Sequence, residues 1–152
     1  MDPALLSRPV GFLVGDIARL LRRRFERALA EADTGLTASE ARTLAFIEHY
    51  PEFRQAALAE RLGVEPMTLS GVLDRLEGAG LVERRTDPAD RRAKCVVLTS
   101  AAAPVLDHIH SVAIGIRAET LRGMSDAEAA AAYDLLTRML GNLSLCSEND
   151  RR

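Results

Sequence analysis

The chain has 152 residues, of which 47% are hydrophobic and 28% are charged. This length supplies one hydrophobic core of ordinary size and predicts a single folded unit rather than two independent domains. The formal net charge is −2, so the chain as a whole lacks the excess of positive charge that is typical of many nucleic-acid-binding proteins. A basic surface for nucleic acid would have to be local.

The first helix is predicted from an apolar stripe in the N-terminal part of the chain. Apolar side chains recur there at steps of three and four residues, which places them on one face of a helix. They are Val10, Leu13, Val14, Ile17, Leu20, Leu21, Phe25 and Leu29. Thr37 and Glu40 then form a capping box, so a second helix is predicted to begin there and to run to about Tyr50.

Two short helices separated by a glycine-containing turn are predicted next. The first covers about residues 54–62 and ends at Gly63, which readily adopts the left-handed conformation of a helix end. Pro66 suits the first turn of the second helix, whose inner face carries Leu69, Leu73 and Leu76. This order is typical of a helix-turn-helix, in which the second helix can enter the major groove of DNA.

A β-hairpin with a charged tip is predicted after these helices. Residues 81–86 and 93–98 have the composition of strands, and the Asp-Pro start of the segment between them favours a turn. Residues 82–94 contain five cations against three acids. The hairpin therefore carries a local excess of positive charge.

Two more helices are predicted in the C-terminal part, followed by a polar tail from Ser144. Thr99 or Ser100 is expected to cap the first of them, whose apolar face carries Val105, Ile109, Val112 and Ile116. Ser125 and Glu128 form a second capping box at the start of the last helix. The helices at both ends have more apolar surface than the central part could cover, which predicts a dimerisation bundle.

The predicted fold class is mainly α-helical with a small β-hairpin wing, a winged helix-turn-helix. Its DNA-binding lobe is expected at approximately residues 37–99, and its dimerisation helices at approximately 5–32 and 101–145. Two-fold pairing would place two recognition helices about 34–36 Å apart, in successive major grooves of one DNA duplex.

The residues expected to contact DNA lie mostly on the recognition helix and the hairpin. Hydroxyl side chains can bond phosphates or base edges, and Gly71 would allow close approach to the duplex. Arg75 is the candidate for bidentate guanine recognition, and the alternative is an ion pair with Asp74, Glu77 or another nearby acid. The full set is Arg54, Met67, Thr68, Ser70, Gly71, Arg75, Arg84, Arg91, Arg92 and Lys94.

Two tasks are expected of the arginines at the hairpin tip, Arg91 and Arg92. One guanidinium enters a narrow minor groove, where the negative potential is enhanced. The other is held by a bidentate bond to Asp87 or Asp90, which thereby stabilise the wing. The sequence leaves open which arginine does which, and a solvated turn without a role in DNA binding is the alternative.

Several segments, taken in order, resemble the MarR/SlyA family. They are Leu-Ala-Glu-Arg-Leu-Gly-Val at 58–64, Leu-Asp-Arg-Leu-Glu at 73–77, Gly-Leu-Val-Glu-Arg at 80–84, Asp-Pro-Ala-Asp-Arg-Arg-Ala-Lys at 87–94 and Leu-Thr at 98–99. The resemblance implies a single MarR-type domain over residues 1–152 and a homodimer that binds a pseudo-palindromic operator in double-stranded DNA. It also implies a transcriptional repressor that a small phenolic or aromatic carboxylate ligand releases.

The resemblance implies a place for such an effector, between the DNA-binding lobe and the dimerisation helices. Six side chains there could serve an anion, namely Arg19, Arg23, His49, Tyr50, His108 and His110. Each has an ordinary alternative, because arginines on amphipathic helices usually face solvent and two histidines two residues apart point to different sides of a helix.

Other classes of protein find little support in the sequence. A phosphate-cradling glycine loop, a metal-ligand cluster and a nucleophile motif are all missing, so we expect no enzyme, cofactor or metal. Cys95 and Cys146 lie far apart without a CxxC motif, and no targeting or membrane-spanning segment is evident, which predicts a cytoplasmic protein.

Two alternatives to a ligand-released repressor stay open. One is a winged-helix module that binds proteins, and the other is a redox-responsive regulator without a small-molecule effector. Peroxide-sensing relatives carry a reactive cysteine near the start of the first helix, where this chain has none. Cys95 is expected to be a small apolar residue of a strand.

Overall fold

The computed structural model describes residues 9–32, 35–51, 53–87, 90 and 93–149, without the side chains of 145–149. It comprises two compact units, one ending at Ile116 and the other beginning at Arg117. The helices of the described residues are α1 (Val10–Glu31), α2 (Ala38–His49), α3 (Gln55–Leu62), α4 (Pro66–Gly78), a 3-10 helix (Ser100–Ala102), α5 (Ala103–Thr120) and α6 (Asp126–Asn149). Strands β1 (Val82–Thr86) and β2 (Lys94–Leu98) form an antiparallel pair.

The predicted helix ends are confirmed at most positions. At α2 the Glu40 carboxylate accepts a hydrogen bond from the Thr37 amide at 2.8 Å, and the Thr37 hydroxyl accepts one from the Glu40 amide at 3.3 Å. Gly63 ends α3 with φ +64°, and Pro66 occupies the first turn of α4. These residues fix where α3 stops and where α4 starts.

The segment after the hairpin differs from the prediction. Thr99 does not cap a long helix; its hydroxyl donates to the Gly80 carbonyl at 2.6 Å, and its amide donates to the Leu81 carbonyl at 3.0 Å. The 3-10 helix therefore precedes α5. The last helix also continues past Ser144, to Asn149.

The buried core lies under the inner face of α4. Leu69, Val72, Leu73 and Leu76 are buried there, and Leu73 is fully inaccessible to solvent. They belong to one cluster with buried residues of α2, α3, the strands and α5. Burial of four side chains on one face leaves the opposite face of α4 for contacts outside the chain.

The hairpin is joined to the start of α3 as well as to itself. Val82 pairs with Leu98 and Thr86 with Lys94 in the β1–β2 register. On the other edge of β2, Arg54 forms a bridge with Cys95, and the Val96 amide donates to the Phe53 carbonyl at 3.3 Å. Residues 53–54, just before α3, therefore pair with β2 on the side that β1 leaves free.

Large apolar side chains remain exposed on α1 and, in the second unit, on α6. In α1 they are Val10, Phe12, Leu13, Val14, Ile17, Leu20 and Leu21, and in α6 they are Tyr133, Leu135, Leu136, Leu140 and Leu143. Leu29 is the one buried residue among those of α1. None of the helices in the described ranges has the length and apolar character needed to cross a membrane.

Candidate nucleic-acid interface

The outward face of α4 begins with Met67, which is 82% exposed. Thr68 is exposed beside it, and Ser70 and Gly71 are half-buried. These four predicted contact residues occupy the first half of the helix, where the backbone amides of a helix start also face outward. The arrangement places a polar, sterically open surface at the N-terminal end of α4.

Gly71 has no evident structural reason to be glycine. A Cβ atom at this position would meet Arg75 Nη1 at 4.0 Å and no other described atom within 4 Å. Glycine inside a helix costs about 1 kcal/mol relative to alanine. The open space above Gly71 is therefore compatible with close approach of an external group.

Arg75 joins the recognition helix to the start of α2. Its Nε donates to the Glu40 carboxylate at 2.5 Å, so its acid partner lies on another helix and is neither Asp74 nor Glu77. Burial would raise the pKa of Glu40, but hydrogen bonds from Arg75 and Thr37 outweigh it, and that pKa lies below its ordinary value. Arg75 is thus held over the α4 surface by a buried, ionised carboxylate.

Arg84 attaches strand β1 to the same helix. Its guanidinium lies 2.7 Å from the Asp74 carboxylate and 2.9 Å from that of Glu77, and it donates to the Ser70 carbonyl at 3.1 Å. The Arg84 amide also donates to Glu77, at 3.0 Å. These contacts fix the hairpin against α4, and the DNA contact expected of Arg84 stays a prediction.

Arg84→Ala is expected to destabilise the protein by about 1–2 kcal/mol, because three contacts of one guanidinium are lost and both acids are partly exposed. Denaturant unfolding measures this. The matched control is Arg85→Ala on the same strand, where Arg85 pairs only with exposed Glu83 among the described residues. Arg85→Ala should change the free energy of unfolding by no more than about 0.5 kcal/mol. Equal losses of stability in both variants would contradict a role of Arg84 in holding β1 against α4.

The base of the hairpin tip is closed by Arg54. Its Nε donates to Asp87 Oδ2 at 2.6 Å, and its Nη1 lies 3.8 Å from Asp90 Oδ2. The Asp87 side chain is only 10% exposed. Both wing aspartates thus have a basic partner that comes from the start of α3. Arg54 is also a predicted DNA contact, and that role stays a prediction. Arg91 and Arg92 lie outside the described residues.

Backbone hydrogen bonds define the turn on either side of these aspartates. The Asp90 amide donates to the Asp87 carbonyl at 3.2 Å, and the Ala93 amide donates to the Asp90 carbonyl at 2.9 Å. Lys94 reaches across the strands, and its Nζ donates to the Thr86 hydroxyl at 3.0 Å. Lys94 remains exposed at the edge of the tip. Its predicted contact with DNA stays a prediction.

The six effector candidates do not line the cleft that the structure describes. Arg19 pairs with Asp16 at 2.9 Å, and His110 lies 2.6 Å from a Glu48 carboxylate oxygen. A cleft is lined by none of the six; its walls are Arg22, Phe25, Glu26, Ala38, Ser39, Arg42, Thr43, Leu62, Val64, Thr68, Leu69 and Val72. Arg22 and Arg42 were not among the predicted site residues, because the spacing of charged residues on an amphipathic helix does not indicate which cavity the helix lines.

The other effector candidates whose contacts are described bind residues of their own helix or of a neighbouring one. His108 lies 2.8 Å from the Pro104 carbonyl one turn earlier. Tyr50 accepts a hydrogen bond from Arg61 at 3.1 Å and its ring contacts His49, while Arg23 is exposed on α1.

Cys95 is the cysteine whose side chain the structure describes. Cys95 is buried in β2, as its predicted apolar role requires. The side chain of Cys146 lies outside the described residues. Across the described ranges, no three His, Cys, Asp or Glu side chains are grouped in a way that could hold a metal ion.

Comparisons with known proteins agree with this geometry. Residues 36–94 match the model of the MarR family. The solved transcriptional regulator PA3341 is 34% identical, with 90% of this chain and 98% of that one covered and a TM-score of 0.72. Wild-type apo MarR from E. coli is 27% identical, with coverage of 88% and 97% and a TM-score of 0.73. The regulator SlyA is 26% identical, with coverage of 90% and 95% and a TM-score of 0.73.

Proposed function

Because the chain belongs to the MarR family of transcriptional regulators, we propose that it is a sequence-specific repressor. It binds a pseudo-palindromic operator as a homodimer and is released by a small effector of the aromatic-acid type. Membership of this family makes the protein a DNA-binding regulator and not an enzyme. The repressor role, the operator, the dimer and the effector are the proposal.

The observation that carries the proposal is the rigid attachment of the hairpin to the recognition helix. Arg84 holds β1 on Asp74 and Glu77, and Arg54 holds the hairpin tip through Asp87. A helix and a hairpin fixed in this way can contact a major groove and the adjacent minor groove at once. Loose attachment would lose binding energy in ordering the two elements.

We assign the direct DNA contacts to side chains that the fold leaves available. On α4 these are Met67, Thr68, Ser70 and Gly71. Arg75 joins them by leaving the Glu40 carboxylate and binding a DNA base instead. At the hairpin they are Lys94 and one of Arg91 and Arg92, the other being held by a wing aspartate. Arg54 and Arg84 complete the proposed set; like Arg75 they pair with acids of the chain, and these pairs position the hairpin.

Dimerisation is assigned to the helices at the two ends of the chain, with residues 37–99 as the DNA-binding lobe of a single domain. Exposed leucines on α1 and α6 support this assignment, since burying each would contribute about 1.5–3 kcal/mol. Sedimentation velocity at micromolar concentration should give the mass of a dimer, and a monomer would contradict the proposal.

Fluorescence anisotropy tests the regulator with its own upstream intergenic DNA and a shuffled duplex of equal length. We expect tighter binding to the intergenic DNA, with affinity that falls steeply with salt. Each phosphate neutralised contributes about 0.9 to the slope of the logarithmic salt dependence. Equal affinity for both duplexes would contradict sequence-specific recognition and favour a winged-helix module that binds proteins.

A further inference from the structure

Arg61, near the end of α3, packs against two aromatic side chains of the connection between α2 and α3. Its guanidinium carbon lies 4.6 Å from the centre of the Tyr50 ring and 5.8 Å from that of the Phe53 ring. Its Nη1 also donates to the Tyr50 hydroxyl at 3.1 Å. The two rings lie 5.3 Å apart, so the three side chains form one group, the Arg61 cluster.

The charge of Arg61 is engaged by these rings and not by an acid. No carboxylate among the described residues pairs with it, whereas Arg54 and Arg84 each pair with acids. A guanidinium within about 6 Å of a ring centre is attracted by the negative face of the ring. Arg61 therefore ties α3 to the connection that precedes it.

Phe53 links the Arg61 cluster to the hairpin. Its carbonyl accepts from the Val96 amide at 3.3 Å, and the next residue, Arg54, forms a backbone bridge with β2. The Arg54 side chain then donates to Asp87 at the hairpin tip, at 2.6 Å. A continuous path of contacts thus runs from Arg61 to the tip of the wing.

We propose that Arg61 is a positioning residue for the wing, which acts on DNA binding through the connection that it holds. Stacking on the rings fixes where Phe53 and Arg54 lie, and thereby where the hairpin tip lies. Arg61 itself does not touch DNA in this role. The inference rests on the proposed function for its consequence, since the position of the wing matters only if the wing contacts a groove.

Hydrogen exchange of the Val96 amide tests the positioning on the protein alone. Arg61→Met keeps the apolar part of the side chain without the guanidinium. The Val96 amide of this variant should exchange about threefold faster or more, because its acceptor on Phe53 is held less firmly. The Thr99 amide, which donates to the Leu81 carbonyl at the other end of the hairpin, should keep its wild-type rate.

Two further variants separate positioning from charge. Tyr50→Leu removes a ring without changing the charge of the chain, and it should also accelerate exchange of the Val96 amide. Arg117→Met is the matched control, because the Arg117 guanidinium lies 5.4 Å from the centre of the Tyr133 ring in the other unit. This control should leave exchange of the Val96 amide unchanged.

The consequence for DNA is measured by fluorescence anisotropy with two versions of the intergenic duplex. Replacing adenine with diaminopurine adds an amino group in the minor groove, where G·C pairs also carry one. Wild-type protein should bind the unmodified duplex about fivefold more tightly or better. Arg61→Met should lose most of this preference, because its wing is no longer held in place.

The inference is overturned if the Val96 amide exchanges at the wild-type rate in Arg61→Met and Tyr50→Leu, or if the Thr99 amide accelerates equally. It is also overturned if Arg61→Met lowers the salt slope by about 0.9 without faster exchange, as loss of a phosphate contact would. An Arg61→Met variant that keeps the full minor-groove preference would overturn it as well.

These outcomes are separable from those of the proposed function. Equal binding of the intergenic and shuffled duplexes by wild-type protein would overturn the sequence-specific repressor. Exchange of the Val96 amide in the free protein would still decide whether Arg61 positions the wing. Wild-type protein without a minor-groove preference would overturn the consequence of that positioning for DNA binding.

Discussion

Replacing Arg54 with alanine is expected to lower the free energy of unfolding by about 2–3 kcal/mol and to weaken operator binding more than tenfold. The Asp87 side chain is 10% exposed, so it would stay buried after losing the hydrogen bond from Arg54. The hairpin tip would then lose its fixed position beside α4. Urea unfolding and fluorescence anisotropy with operator DNA measure the two effects.

The control for this prediction is the reverse deletion, Asp87→Ala. Arg54 is 49% exposed, so water can solvate it once the aspartate is gone. This variant should lose less stability than Arg54→Ala while losing a similar amount of operator affinity. A double-mutant cycle isolates the coupling between the two residues. Additive effects would mean that the ion pair does not hold the wing.

The second large effect is expected at Glu40. Glu40→Ala removes the second acceptor of the α2 capping box and the partner of Arg75, and should cost about 2–3 kcal/mol. Glu128→Ala is the matched control, because Ser125 and Glu128 form the same kind of capping box without an arginine. The Glu40 variant should be clearly the less stable of the two.

The stability contributed by Glu40 should also depend on pH in a defined direction. Its pKa in the folded protein lies below its ordinary value, so ionised Glu40 stabilises the folded state. That contribution is fully present above the unfolded-state pKa of about 4.3 and is lost as pH falls through the lower folded-state pKa. Wild type and Glu40→Gln should therefore converge in stability under strongly acidic conditions. A constant difference down to pH 2 would exclude this linkage.

The local features of the fold could be predicted from the sequence. Capping boxes, Gly63 and Pro66 act within one helical turn, and the leucines of α4 repeat with the helix, so residue spacing alone identifies them. The prediction that Thr99 caps a long helix was wrong because it relied on spacing alone. Its hydroxyl bonds Gly80, 19 residues earlier, and a spacing rule cannot detect such a partner.

The ion pairs that shape the candidate interface could not be predicted in this way. Arg54 and Asp87 are 33 residues apart, and Arg75 and Glu40 are 35 residues apart. Which of several acids an arginine meets depends on how the helices pack. The sequence therefore predicted Arg54 and Arg84 as DNA contacts, but it could not predict which acids of their own chain they meet.

The pairing of residues 53–54 with β2 limits the length of the connection between α2 and α3. Surface loops between helices usually accept inserted residues at little cost. The connection between α2 and α3 is short and ends directly on β2, through the Phe53 carbonyl, which accepts from the Val96 amide, and the backbone bridge between Arg54 and Cys95. An added residue there would shift the register at the hairpin as well as the helix spacing. This connection should therefore be as restricted in length as the recognition helix itself.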